Sequence, residues 1–263
     1  MLFRSKILYE YNWLKKAHKI FPSIVPVVKD LDIKNTSTCS YKIVYENIPS
    51  LSDIFVHGNH DSKTKLKILV KLIKTINLIQ NFYAHREPKE NFIYKKLIER
   101  EEKIIKTATL FSLEKEVKYI ISKNKNYFKN KNFHETIMHG DFCFSNILYN
   151  RRYDKIALID PRGYLSTNAG FSFFGPYVYD YFKLAHSFIG GYDYIISGGN
   201  PIDSTKEETH NKLSFFCGET GLSKELIIYG LVNLFLTMIP LHRDSPERQQ
   251  KFLINAINFQ KLI

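Results

Sequence analysis

The chain has 263 residues, of which 44% are hydrophobic and 24% charged, so it reads as a globular protein with enough apolar material for a substantial core. Its formal net charge is +12, but the lysines are spread from Lys6 to Lys261 among abundant Ile, Asn, Tyr and Phe. A solvated basic surface is therefore expected, with no nucleic-acid partner. Cys39, Cys143 and Cys217 lack C-x-x-C spacing, no uninterrupted apolar run is long enough for a membrane span, and MLFRSKILYEY has no signal-peptide core, so the expected location is cytoplasmic.

Along the chain, Ile7, Leu8, Tyr11, Leu14 and Ala17 recur at helical spacing and predict a helix over residues 5–19. Phe21-Pro22 and Val25-Pro26 end it, because proline cannot continue a helix and holds the residue before it extended. Strand-like runs follow over Val25–Leu31 and Tyr41–Ile48, separated by a polar turn over 34–40. Asp61-Ser62 can cap a long helix whose apolar face is Leu66, Leu69, Val70, Ile73, Ile76 and Ile79, opposite Lys63, Lys67, Lys71 and Lys74. Helical pattern continues over 91–122, and the basic run 123–131 reads as a solvated connection. After residue 163, turns are expected at Gly170 and Gly175-Pro176, then a helix over Val178–Phe188. A helix over Leu222–Ile239 and a last one capped at Asp244-Ser245-Pro246 complete the chain.

The informative stretch is IMHGDFCFSNILYNRRYDKIALIDPRG, residues 137–163. His139, Asp141 and Asn146 are spaced H-x-D-x-x-x-x-N, and a short apolar strand, Ile156–Ile159, ends on Asp160. Phosphoryl transfer needs such a set, because there the protein mainly positions reactants and neutralises charge. Asp141 would accept or orient the proton of an attacking hydroxyl. Asn146 and Asp160 would bring an amide oxygen and a carboxylate to one Mg²⁺, an ion usually held by one or two carboxylates plus nucleotide phosphates. His139 reads as a brace for the loop, and Cys143 as a small packing residue.

His139-Gly140-Asp141, Ser145-Asn146-Ile147-Leu148 and Ile159-Asp160-Pro161-Arg162-Gly163 together resemble the aminoglycoside phosphotransferase and choline kinase superfamily, and within it the small-molecule kinases of capsule and surface-polysaccharide loci. The resemblance implies a protein-kinase-like α+β fold, with a reduced N-terminal lobe over 1–48 (a helix plus an antiparallel sheet) and a mainly helical lobe over 49–263. It implies ATP and Mg²⁺ as cofactors and a small-molecule hydroxyl as acceptor. Glu10 would be the helix glutamate that pairs an ATP-binding lysine, and Glu46, Asn47 and Ile48 the hinge that meets adenine. Asp180 would hydrogen-bond the catalytic-loop backbone, or simply cap its helix. Arg162 would contact a phosphate or form a structural ion pair, and His242 and Arg243 would face the acceptor or stand in a surface loop.

The chain departs from the family before Glu10. Only nine residues precede it, none in a G-x-G pattern, and Lys6 lies one helical turn away rather than on a facing strand. Slow transfer is expected of the chain as it stands. The competing reading is a degenerate, non-catalytic kinase-like binding protein.

Overall fold

A computed structural model describes residues 3–33, 39–44, 47–58, 61–88, 90–164, 170–203 and 205–263. The fold is α+β, with short antiparallel strand pairs set among ten α-helices in the described residues. It divides into two compact units built from interleaved segments, 1–86 with 134–180 and 87–133 with 181–263. Residue 48, the expected lobe boundary, lies within the first.

The first unit opens with α1 (Phe3–Ile20), which buries Glu10, Trp13, Leu14 and Ala17. A hairpin follows, β1 (Val28–Ile33) antiparallel to β2 (Cys39–Ile43), with an irregular register between Lys29 and Asp32. The first strand begins three residues later than the apolar run suggests, because Pro22–Ile24 form a turn and the Ile24 carbonyl accepts from the Leu158 N–H at 2.8 Å. The expected turn over 34–40 falls mostly outside the described residues, which resume at Cys39.

Helix α2 (Ser62–Gln80) starts where its cap predicts, with the Asp61 carboxylate accepting from the Thr64 N–H at 2.8 Å. Its buried face is Ile68, Leu69, Leu72, Ile73, Ile76 and Ile79. Leu66 and Val70 are only half-buried, so the true face is rotated from the expected one toward Ile68 and Leu72. Two further short strand pairings belong to this unit. β3 (Glu135–Ile137) pairs with β6 (Phe174–Pro176), and β4 (Ile147–Asn150) pairs with β5 (Lys155–Leu158). Gly175-Pro176 is thus strand rather than turn, with Gly175 opposite Thr136.

The second unit is helical. The helical pattern expected over 91–122 is three helices, α3 (Phe92–Ile98), α4 (Glu101–Leu110) and α5 (Glu114–Phe128). The second break falls at Ser112, whose φ of +59° lets both the Phe111 and Leu113 N–H groups reach the Ala108 carbonyl. The supposed solvated connection begins as the end of α5, where Asn124 is fully buried. Its side-chain amide donates to the Tyr229 carbonyl at 3.0 Å and accepts from Asn233 at 2.9 Å.

Helix α6 (Val178–Phe188) matches its predicted bounds. Two helices that the sequence pattern did not suggest come next, α7 (Tyr192–Ile196) and α8 (Glu207–Thr220). Then α9 (Lys224–Met238) and α10 (Pro246–Gln260) pack on one another; α9 starts two residues later than expected because Ser223 caps it, and Ser245 caps α10 as its sequence indicates. The segment Lys224–Leu241 has a mean hydropathy of 1.5, long and apolar enough by composition to cross a membrane, yet 67% of it is buried in protein. It is the core helix of this unit.

Candidate active site

All the residues that form the site belong to the first unit. Its floor is the chain leaving β3. The Trp13 indole N–H donates to the Met138 carbonyl at 2.8 Å, a buried bond between residues 125 apart in sequence. Gly140, at φ +80°, then turns the loop, and a Cβ there would meet the Arg162 Cβ at 2.7 Å. Beneath the turn Asp180 acts as a two-pronged clamp. Its Oδ2 accepts from the His139 N–H and its Oδ1 from the Gly140 N–H, each at 2.8 Å. It is 2% exposed, so it joins the loop backbone directly rather than only capping α6.

His139 is fully buried, edge-on to Trp13 and Phe142. Its Nδ1 accepts from the Asp141 N–H at 3.3 Å, the geometry of a brace. Cys143 is likewise buried, beside the Ser145 hydroxyl. Replacing Asp180 by Ala strands two buried backbone donors and is expected to destabilise the protein by about 3 kcal/mol. Denaturant unfolding measures it, and an unchanged midpoint would show that the clamp does not hold the loop.

The next step of geometry gathers the three expected groups. The Asn146 amide nitrogen donates to the Asp141 carbonyl and to its Oδ2, both at 3.0 Å. Both amide hydrogens are thereby committed, while the amide oxygen, which accepts from the Ser145 hydroxyl at 3.5 Å, keeps a second lone pair for a cation. The hairpin β4–β5 returns the chain to Asp160, and two bonds lock the loops together. Ile159 N–H donates to the Asn146 carbonyl at 3.0 Å, and Arg162 N–H to the His139 carbonyl at 2.8 Å.

Asp160 adopts φ +51°, a left-handed conformation uncommon for a residue with a side chain. Burial, and next the charge of Asp141, push its carboxyl above the ordinary carboxylate range, with Lys6 opposing them. Its carboxylate nevertheless keeps an accessible face. A carboxylate raised by a neighbouring one in this way is a fitting ligand for a divalent cation, whose charge would offset the repulsion. Among the described residues no group of three or more His, Cys, Asp or Glu could hold an ion by protein ligands alone, so a metal here would share its shell with phosphates or water.

Glu10 comes to the same place from α1. It is 6% exposed, accepts from the Tyr41 hydroxyl at 3.4 Å and lies 3.5 Å from the Lys6 ammonium. Burial raises its carboxyl, Lys6 lowers it, and Asp160 raises it again. Just beyond Asp160, Gly163 packs against the backbone of α1, where a Cβ would stand 2.4 Å from the Tyr9 carbonyl oxygen. Arg162 lies over the Tyr164 ring, 4.7 Å from its centre, with one nitrogen 3.5 Å from the Tyr179 hydroxyl.

Of the expected hinge, Glu46 lies outside the described residues and Asn47 is exposed. Ile48 lines a cavity of about 210 Å³ together with Ile43, Val44, Leu148 and Ile159. Its walls thus include the residue before Asp160 and the second residue after Asn146. His242 stands in the second unit, 3.2 Å from Arg248 and packed on Phe252, with its pKa lowered by burial and then by Arg248. Sequence reasoning missed Tyr41 and Trp13. A single tryptophan in an amphipathic helix was the available signal for the latter.

No family model matches the chain, and no curated protein does. Among solved structures it is similar to a glucosamine kinase in its crystal form A, with a TM-score of 0.51 and 11% identity, covering 97% of this chain and 60% of that one. A glucosamine kinase in complex with glucosamine, ADP and inorganic phosphate gives a TM-score of 0.50 at 11% identity, covering 97% of this chain and 62% of the other. The chain spans about three fifths of the length of these structures, and what it shares with them is a kinase-like fold.

Proposed function

We propose that the protein is an ATP- and Mg²⁺-dependent phosphotransferase acting on a hydroxyl of a small molecule, a sugar or amino sugar first among candidates. The observation that carries this reading is the pair of hydrogen bonds that the Asn146 amide donates to Asp141, with Asn146 itself tied to the chain that leads into Asp160. A carboxylate fixed by an amide, beside a second carboxylate, is what in-line transfer to an alcohol requires.

In this reading Asp141, its Oδ2 held by Asn146, receives the proton of the acceptor hydroxyl. Asn146 Oδ1 and the Asp160 carboxylate would hold Mg²⁺, which when bound supplies charge neutralisation at the phosphates. His139 and Asp180 keep the loop from shifting, since small displacements of a positioned base are costly in rate. The cavity bounded by Ile48, Leu148 and Ile159 offers apolar walls to a purine. Residues 1–48 would act as a reduced lobe and hinge, and 49–263 as the catalytic lobe. The choice of sugar is suggested by the fold shared with two glucosamine kinase structures. A cytoplasmic role in surface-polysaccharide synthesis is the setting that residues 137–163 suggest.

The test is ADP release from Mg-ATP over a panel of glucosamine, other hexoses and amino alcohols. Acceptor-dependent ADP formation that stops with chelator is the expected result. Mg-nucleotide binding without turnover on any acceptor would favour a non-catalytic binding protein, and no nucleotide binding would overturn the kinase reading.

A further inference from the structure

We propose that one face of the first unit, formed by the lysine row of α2 and the turn of the β4–β5 hairpin, docks onto the surface of an anionic lipid bilayer. The inference stands apart from the kinase reading. Helix α2 is distinctive in its charge, for its 19 residues carry five lysines and no acid. Other helices pair lysines with acids of their own, as in the i, i+4 pairs Lys118–Glu114, Lys212–Glu208 and Lys251–Glu247. A lysine-rich composition alone therefore does not account for α2.

Spacing and packing gather these charges on one side. Lys63, Lys67, Lys71 and Lys74 follow one another at three or four residues and so form a row along the helix. Lys65, off that row, turns inward and donates to the Phe55 carbonyl at 3.3 Å. The hairpin turn lies against the row, where Lys71 pairs with the Asp154 carboxylate at 2.7 Å and the Tyr149 hydroxyl donates to the same carboxylate at 3.0 Å. That turn adds Arg151 and Arg152, both exposed like Lys63, Lys67 and Lys74. Among the described residues none of these five cations shares an ion pair with a carboxylate, and Asp154, the acid beside them, is taken by Lys71 and Tyr149.

Charge complementarity asks for a broad negative surface, and two apolar side chains say which kind. Leu78, one turn beyond Lys74, is 56% exposed, and Tyr153 in the hairpin turn is 61% exposed. A leucine and a phenol among lysines and arginines suit the headgroup boundary of a bilayer, where the cations meet phosphate and the apolar tips reach the edge of the acyl chains. An exposed leucine has no such role against the phosphates of a nucleic-acid duplex. The apolar face of α2 is already filled by protein, so the helix would lie on the bilayer by charge rather than sink into it. Asn146 and Asp160 flank the opposite end of the same hairpin, with β4 and β5 between them and the turn, so contact at the turn is made away from them.

The experiment is vesicle flotation with the full chain, using phosphatidylcholine alone and phosphatidylcholine mixed with phosphatidylglycerol. Binding to the mixed vesicles that is absent from the neutral ones and weakens with added salt is the expected result. Each basic side chain near such a surface contributes roughly fivefold in affinity. Combining Lys63→Gln, Lys67→Gln, Lys74→Gln and Arg151→Gln should therefore weaken binding by roughly 10²-fold or more, with the melting temperature unchanged. A control removes as many charges from exposed lysines of the second unit, through Lys103→Gln, Lys106→Gln, Lys115→Gln and Lys123→Gln, and should bind within a few-fold of the parent. Equal losses in the two variants would show that net charge alone attracts the chain and would overturn the proposal, as would a parent that ignores the mixed vesicles. A DNA duplex bound as tightly as those vesicles, and released by the same four substitutions, would overturn it in favour of a nucleic-acid partner.

Discussion

Asp141→Asn lowers the rate of phosphoryl transfer by roughly 10² to 10⁴, the scale of a lost general base, while nucleotide affinity stays within a few-fold of the parent. The substitution keeps an acceptor oxygen for the Asn146 amide, which now bonds Asp141 Oδ2 at 3.0 Å. It also keeps the backbone N–H that reaches His139 at 3.3 Å. Geometry is thus preserved and only basicity is removed, so the loss should fall on kcat. Steady-state kinetics with the best acceptor of the panel measure it. Turnover equal to the parent's would mean that another group takes the proton.

Asp160→Asn should have the second large effect, in two opposite directions. Removing the carboxylate should abolish Mg²⁺-dependent ATP binding in a calorimeter, and equal affinity would sink the metal assignment. In the nucleotide-free protein the same change should raise the melting temperature at neutral pH. The sign follows from linkage. Burial, and next Asp141, raise the Asp160 carboxyl above its ordinary value, so the folded state holds its proton more tightly than the unfolded state does. Such a group subtracts nothing at pH values below its unfolded pKa. It costs stability progressively as pH rises from there through the raised folded value. The advantage of the variant should therefore shrink toward pH 4 and vanish below it. Asparagine suits this test because it tolerates the left-handed backbone at φ +51°, which alanine would strain. A variant that melts lower than the parent at pH 7 would show that the charge is not a net cost.

Much of this site is legible in the sequence, because its parts are local. Spacing alone brings His139, Asp141 and Asn146 onto one loop and ends a strand on Asp160, and the bounds of α6 follow from its apolar period. The clamp by Asp180 spans 40 residues, and only the likeness of the loop to a known superfamily suggests it in advance. The left-handed backbone at Asp160 has no glycine to announce it. The Lys6–Glu10 spacing is visible, but the burial of Glu10 depends on how α1 packs. Helix α8 is hard to read for a different reason. Only Thr209, Leu213 and Phe216 among its residues are buried, too few to impose a clear period. In α2 the lysine stripe is plain, yet the apolar residues are dense enough to fit two neighbouring faces, and packing selects the one through Ile68 and Leu72.

The contact of Gly163 with Tyr9 bears on regulation. A helix that carries a catalytic glutamate can serve as a switch when it is free to swing away from the metal-binding loop. Here the peptide after Arg162 lies flush against the backbone of α1, with no room for even a methyl group between them, and Trp13 anchors the same helix to the end of β3. Tilting α1 outward would break both joints at once, so the helix and the loop form one casting. Moving α1 as a switch would therefore require both joints to be repacked together.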